Sequence, residues 1–475
     1  MLKPTNPSKF YVFLPFGILA LLVFYKSYLA PFTHDEAFSY LTFSSKNIKD
    51  ILSYKVDTSA NNHLINTLFM KFMGSIGLQH PFFLRLLSSI SFLLFVYSLM
   101  QISKTDKSYY PSLLAIMVCS SPYLLDFFAM ARGYGFSFSM MVFSIYLLLK
   151  HEQSNNLFWS IQVATIAMLS NFNLVYFWAA LGIIHITTLV QTNKNTRSFI
   201  KTGIIHYIFP LLAISYLYIV FNRLKEAQQL YFGGSAGIIE NLVNDQLWCL
   251  IYDKNYEYNS LYLQIWQFLP IALSLFAIVL LTIKNLRSNK AVQNWIKVHG
   301  ILIVSFVLIE LNHRLTGSLY PLKRTGLFMS LLLGLSLLLF FRLLIHYKLL
   351  KIPTLLVGFG ISSLLFYHTI NSYQSARFRE IPYDSHQHEI LKTLDSIATD
   401  KNQVLNISAN WQLGPSLNFY KKTQNLIWLP ETKRDPIRPN VKYLLVFEEE
   451  MNILPKDSFG IVLYYPEDNL YLLSR

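Results

Sequence analysis

Charged residues are scarce in this chain of 475 residues: Asp, Glu, Lys and Arg supply 14% of it, against about a quarter in an ordinary soluble domain. Apolar residues make up 53% and aromatics 16%. That balance excludes a soluble globular protein, and excludes a disordered one more firmly. Cysteine is nearly absent as well. Cys119 lies in an apolar run and Cys249 in a loop, so they build no disulfide framework and leave the redox compartment open. The first apolar stretch lacks a small-x-small cleavage site and is too long for a removed signal peptide. The glycine-rich fingerprint of a nucleotide-binding fold is also missing.

What the chain has is apolar length. Residues 10–30, behind Lys3 and Lys9, read as an uncleaved first span. Further runs near the roughly 20 residues that a bilayer core requires lie at about 83–102, 111–128, 133–149, 157–171, 173–190, 202–221, 262–283, 296–312, 326–345 and 352–370. The stretch 157–190 is counted as two spans because Ser170 to Asn173 interrupts it. About eleven spans are therefore expected, forming a polytopic α-helical membrane protein over residues 1–370. Outer loops fall at 31–82 and 222–261, and a small C-terminal α/β domain is expected over 371–475.

Charge gives the orientation. Residues 1–370 hold 28 basic and 13 acidic residues, whereas 371–475 hold 12 and 13. The excess thus lies in the membrane part, where it reads as topology and anion handling and not as a nucleic-acid surface. With a cytoplasmic amino terminus, the inner segments carry Lys104, Lys107, Lys150, Lys194, Arg197, Lys201, Lys284, Arg287, Lys290, Lys297, Arg342, Lys348 and Lys351, opposed only by Asp106 and Glu152. The outer loops collect acids such as Asp50, Asp57, Glu226, Glu240, Asp245, Asp253 and Glu257. In the first outer loop, 36–43 and 64–73 have apolar residues at helical spacing and are expected along the interface plane. In the second, Phe232 to Ser235 reads as a turn within a lid. The tail offers a helix at 384–399 and strands at 402–408, 442–447, 460–465 and 470–473.

Ionisable residues near bilayer depth are costly and point to function. His34, Asp35 and Glu36 follow the outer end of the first span. Two adjacent carboxylates beside an imidazole can take a proton from a hydroxyl or hold a divalent cation, or they are simply an acidic loop. Arg132, between two closely joined spans, and Lys323 with Arg324, before the tenth, break the positive-inside pattern. They suit an anionic head group, or snorkel to lipid phosphates. Arg314 has the further alternative of pairing with Glu310 four residues earlier. His63 opens the helix that leads back to the membrane, and Asp126 could pair with Arg132. Acids on one outer loop and cations on others match a reaction in which a hydroxyl attacks carbon while a phosphate departs. Such groups are expected to meet in one outward-opening cleft, with a polyprenyl-phosphate sugar as the donor.

Three stretches carry a resemblance. Thr33-His34-Asp35-Glu36-Ala37-Phe38-Ser39-Tyr40 resembles the Asp-Glu motif that follows the first span in type C glycosyltransferases of the protein O-mannosyltransferase and aminoarabinose transferase branch. Asn62-His63 and the later Phe83-Leu84-Arg85-Leu86 are similar to that family's Asn-His-Pro-Pro segment and Arg-Leu-Pro. Ser121-Pro122-Tyr123 through Ala131-Arg132-Gly133-Tyr134 follows its Ser-Pro-Phe to Ala-Arg-x-Tyr connection. Leu64 and Ile65 replace both prolines after His63, and Met130 stands where an acid often precedes the Ala-Arg pair. The likeness covers 10–190 and, in outline, 290–345.

By this resemblance Asp35 would be the catalytic base and Glu36 its neighbour in acceptor or metal contact. Arg132, Tyr134, Lys323 and Arg324 would bind the donor phosphate, with His34, His63, Asp126 and Arg314 as additional candidates. Any metal is unknown; a divalent cation would fall to Asp35, Glu36 and His63. The expected activity is inverting hexosyl or pentosyl transfer to a protein, lipid or glycan acceptor, on the extracytoplasmic face of a bacterial inner membrane. A transporter or flippase, or an inactive relative acting as a binding protein, are the rival readings.

Overall fold

The computed structural model describes residues 7–55, 57–104, 110–152, 155–192, 195–251, 260–283, 288–398, 400–452, 454 and 458–475. Of the residues behind the charge pattern, Lys3, Asp106, Lys107, Lys194, Asp253, Glu257, Lys284 and Arg287 lie outside the described residues. Among the described residues eight helices are long and apolar enough to cross a membrane: Tyr11–Leu29, Pro81–Ser103, Phe172–Thr192, Thr196–Glu226, Gln264–Thr282, Lys290–Thr316, Leu327–Ile345 and Lys348–Asn371. The pair Tyr110–Cys119 and Pro122–Phe128, bent by 84°, makes a ninth if it is one span, and Gly133–Leu149 and Asn156–Ser170 are shorter apolar helices. Each of the eleven apolar runs is thus helical.

Local chemistry sets the breaks. Pro122 lacks an N–H and opens a new helix; Ser121 caps that helix by accepting from the Leu124 N–H at 3.2 Å. Asn171 ends the helix Asn156–Ser170 and accepts from the Asn173 N–H at 3.2 Å, which restarts the chain in a 3-10 turn. The interruption at 170–173 is therefore a true helix end.

The chain forms two compact units, residues 1–23 with 88–373, and 24–87 with 374–475. In the first, Gly133–Leu149 and Asn156–Ser170 form a hairpin, and Lys290–Thr316 packs against both Phe172–Thr192 and Leu327–Ile345. Gly135 allows a close approach: a Cβ there would stand 2.7 Å from the Phe127 carbonyl oxygen. Buried imidazoles brace the interior. His185 contacts the Tyr207 hydroxyl at 2.9 Å, and His299 lies 3.0 Å from each of the Ser274 and Ser336 hydroxyls.

The second unit contains a four-stranded sheet: β1 (Ile407–Ala409), β2 (Tyr443–Phe447), β3 (Gly460–Tyr465) and β4 (Leu470–Ser474), ordered β1-β2-β4-β3. β1 runs parallel to β2, and the other pairs are antiparallel. Leu444, Val446 and Leu473 are buried with Val441 in its core. Helices Gln387–Ile397 and Gly414–Thr423 complete it. Asp468, on the turn between β3 and β4, accepts from Arg377 at 2.5 and 2.7 Å and contacts His386 at 2.9 Å. Burial opposes its charge, but those partners outweigh the burial and hold its carboxyl below the usual range. Residues 24–87 add helices His34–Phe38, Ile48–Ser53 and Leu64–Ser75, with a π-helical turn over Ser39–Ser44. Residues 31–82 and the tail from 374 onward thus share one unit.

Candidate active site

Three successive backbone N–H groups at the start of the Asp-Glu turn are each taken by a different side chain. Phe32 donates to the Tyr420 hydroxyl at 2.8 Å, Thr33 to Glu36 Oε2 at 2.9 Å, and His34 to Asp384 Oδ2 at 2.5 Å. Helix starts leave such donors without intrahelical partners. Phe32 also packs on Phe419, ring centroids 4.2 Å apart, and the His34 ring contacts the Gln412 carbonyl oxygen at 2.6 Å. Burial raises the Tyr420 phenol and lowers the His388 imidazole. The Tyr420 hydroxyl accepts from the Phe32 N–H and lies 3.0 Å from His388 Nε2.

Glu36 is fully buried. Arg85 donates to its two oxygens at 2.8 and 2.7 Å, and the Thr33 hydroxyl adds a bond at 2.9 Å. Both oxygens are therefore committed to supports of the turn. Asp35 is half-buried; the Asn61 amide lies 3.4 Å from its Oδ1, and its carbonyl oxygen accepts from Ser39 at 2.8 Å. His63 is buried at the start of Leu64–Ser75, held by its carbonyl bond from Thr67 at 2.8 Å. Among the described residues no three of His, Cys, Asp and Glu gather as a metal site. Near the turn, Arg434 stacks on Phe38 and Trp411, at 5.5 and 5.1 Å from the ring centroids.

The cations lie in the other unit. Arg132 is buried at the start of Gly133–Leu149, its guanidinium 5.9 Å from the Tyr134 ring, and its carbonyl oxygen accepts from Ser88 at 3.0 Å. Asp126 is buried on Pro122–Phe128. The backbone of Lys323, at φ 47°, donates to Asp245, and Arg324 stacks 4.5 Å from the Phe232 ring centroid. Helix Asp245–Ile251 packs against both Pro122–Phe128, the helix that precedes Arg132, and the Lys323–Thr325 turn. Arg314 instead pairs with Glu310 at 2.6 Å on an exposed face, which is the intrahelical alternative.

The Phe232 to Ser235 turn is pinned to the cationic loop: Gly234 and Tyr320 exchange backbone bonds at 3.0 and 2.9 Å. A Cβ on Gly233 would stand 2.7 Å from the Tyr320 carbonyl oxygen and 2.6 Å from Leu319 Cβ. Gly233→Ala is therefore expected to force the two segments apart. Limited trypsin digestion should then cut faster after Lys323 or Arg324; an unchanged cleavage rate would refute the coupling.

Arg85, Tyr420, Asp384 and Asn61 join the turn without having been candidates from the sequence. Of these Arg85 had a signal, as a lone guanidinium at the start of an apolar run and as part of the Phe83-Leu84-Arg85-Leu86 stretch.

No family model matches the sequence, and no curated protein matches it. Among solved structures the chain is similar to ArnT from Cupriavidus metallidurans in the apo state, 12% identical, with a TM-score of 0.48 over 99% of this chain and 98% of that one. It is similar also to the same protein bound to undecaprenyl phosphate, 10% identical, with a TM-score of 0.49 over 97% of each chain.

Proposed function

We propose that the chain is a multi-pass membrane glycosyltransferase that moves a hexose or pentose, with inversion, from a polyprenyl-phosphate donor to an acceptor hydroxyl. Its amino terminus is then cytoplasmic, and residues 371–475 form an extracytoplasmic domain of a bacterial inner-membrane protein. Asp35 takes the acceptor proton, while Arg132, Lys323 and Arg324 hold the donor phosphate and stabilise the charge that leaves on it. Glu36 acts as a support of Asp35, and Tyr134 as packing for Arg132.

The observation that carries this reading is the unequal fate of the two acids. Glu36 is buried and bonded through both oxygens to Arg85, whereas Asp35 on the same turn is half-buried and is the more accessible carboxylate for a substrate. The packing of Asp245–Ile251 against both the helix that precedes Arg132 and the Lys323–Thr325 turn supports the phosphate assignment. The test is sugar transfer by the purified protein from a polyprenyl-phosphate donor, with mass spectrometry of co-purified lipid beside it. Movement of the lipid across the bilayer without transfer would favour a transporter; binding without either would favour an inactive relative. Arg324→Ala should raise the donor KM and lower kcat as well, with kcat/KM falling about tenfold or more, since one charge-assisted hydrogen bond is worth roughly 1.5–3 kcal/mol. A donor KM within about twofold of wild type would remove Arg324 from the donor site.

A further inference from the structure

We propose that Asp384, from the C-terminal segment, is a positioning residue for Asp35, and that transfer requires Asp384 to be ionised. The proposal rests on Asp35 being the base. The Asp384 side chain is buried and accepts from three donors: the His34 backbone N–H at 2.5 Å on Oδ2, and the Ser416 hydroxyl at 3.0 Å and Gln387 amide at 3.2 Å on Oδ1. His34 immediately precedes Asp35, so the bond on its N–H fixes the backbone from which the base projects. A charged acceptor makes that bond roughly twice as strong as a neutral one.

The groups facing Asp384 are the His34 backbone, Ser416, Gln387, the Asp35 carboxylate and the Tyr420 phenol. On its own turn, His386 is directed to Asp468. Burial pushes the Asp384 carboxyl up to about 7, with the Asp35 charge adding to the rise and the three hydrogen bonds opposing it. The sign for stability follows. Between the ordinary range of about 4 and about 7, the folded chain keeps a proton that the unfolded chain has lost. Stability therefore falls as pH rises through that window, and the ionised acid weakens the fold at neutral pH. A buried acid kept against local stability marks a functional constraint.

The experiment measures kcat against pH for the full-length protein in transfer from a polyprenyl-phosphate sugar, with Asp35→Asn assayed beside it. Wild type should lose activity on acidification with a midpoint near 7. Asp384→Asn, isosteric but always neutral, should lack that limb, with kcat about tenfold below wild type at alkaline pH and an unchanged donor KM. Ser416→Ala removes one donor, so its limb should move upward by roughly half a unit or more while the alkaline plateau stays. A limb that persists in Asp384→Asn, or that fails to rise in Ser416→Ala, overturns the proposal. If Asp35→Asn is inactive in that case, the base assignment stands and only the role of Asp384 falls. An active Asp35→Asn removes the base assignment and this inference together.

Discussion

Asp35→Asn lowers kcat by about two to four orders of magnitude, the usual contribution of a positioned general base, and leaves the fold intact. The separation of the two effects follows from the contacts. The turn is held by Glu36 on Arg85 and Thr33, by Asp384 on the His34 N–H and by Tyr420 on the Phe32 N–H, and none of these bonds uses the Asp35 carboxylate. Asn has nearly the same volume and can keep the neighbourly contact with Asn61, but it cannot accept the acceptor's proton. The loss is therefore expected in kcat, with the donor KM and the thermal midpoint in detergent close to wild type. A fall of less than about tenfold would leave Asp35 without the role of a base. A large fall accompanied by a lower thermal midpoint would instead make it a structural acid.

The spans were legible because the bilayer imposes a one-dimensional rule: about 20 apolar residues per crossing, with polar residues where the chain must turn. Ser170 to Asn173 showed a break that the Asn171 cap then explains. The strands at 442–447 and 460–465 were visible for a similar reason, as short apolar runs between turn residues. The helix Gly414–Thr423 was not, although Pro415 opens it; its apolar residues are too few for periodicity to separate it from a loop. Adjacent carboxylates at Asp35 and Glu36 looked equivalent in sequence. Their division into a committed and a half-exposed group depends on Arg85, 49 positions away. Asp384, one of 13 acids in the tail, gained meaning only from the 350 positions it spans to reach His34. Contacts at such separations leave no local periodic signal.

Arg85→Met is expected to destabilise the protein by about 3–5 kcal/mol, the cost of leaving one partner of a buried ion pair alone. Guanidinium has five N–H donors, and here each has an acceptor. Nε and one Nη2 hydrogen go to Glu36, the other Nη2 hydrogen goes to the Pro31 carbonyl, and Nη1 serves the Ser27 and Ala30 carbonyls. Ser27 lies in the last turn of helix Pro7–Leu29, where carbonyls lack intrahelical partners and a cation is favoured. Arg85 therefore caps the first span and clamps the Asp-Glu turn with one planar group. Methionine fills the space but satisfies none of the carbonyls, and it removes the cation that balances the buried Glu36. Lysine has three donors on one nitrogen and cannot reproduce the fork, so Arg85→Lys should recover only part of the loss. Glu36→Gln strands the positive charge instead and should be costly too. The double variant should be less destabilised than the sum of the two, because the second change removes a charge already stranded by the first. Thermal unfolding in detergent gives the stabilities, and kcat of the folded fraction reports the turn. If Arg85→Met melts with wild type and transfers sugar at the wild-type rate, the buried pair does not support the base. The position of Asp35 would then have to come from Asp384 and Tyr420 alone.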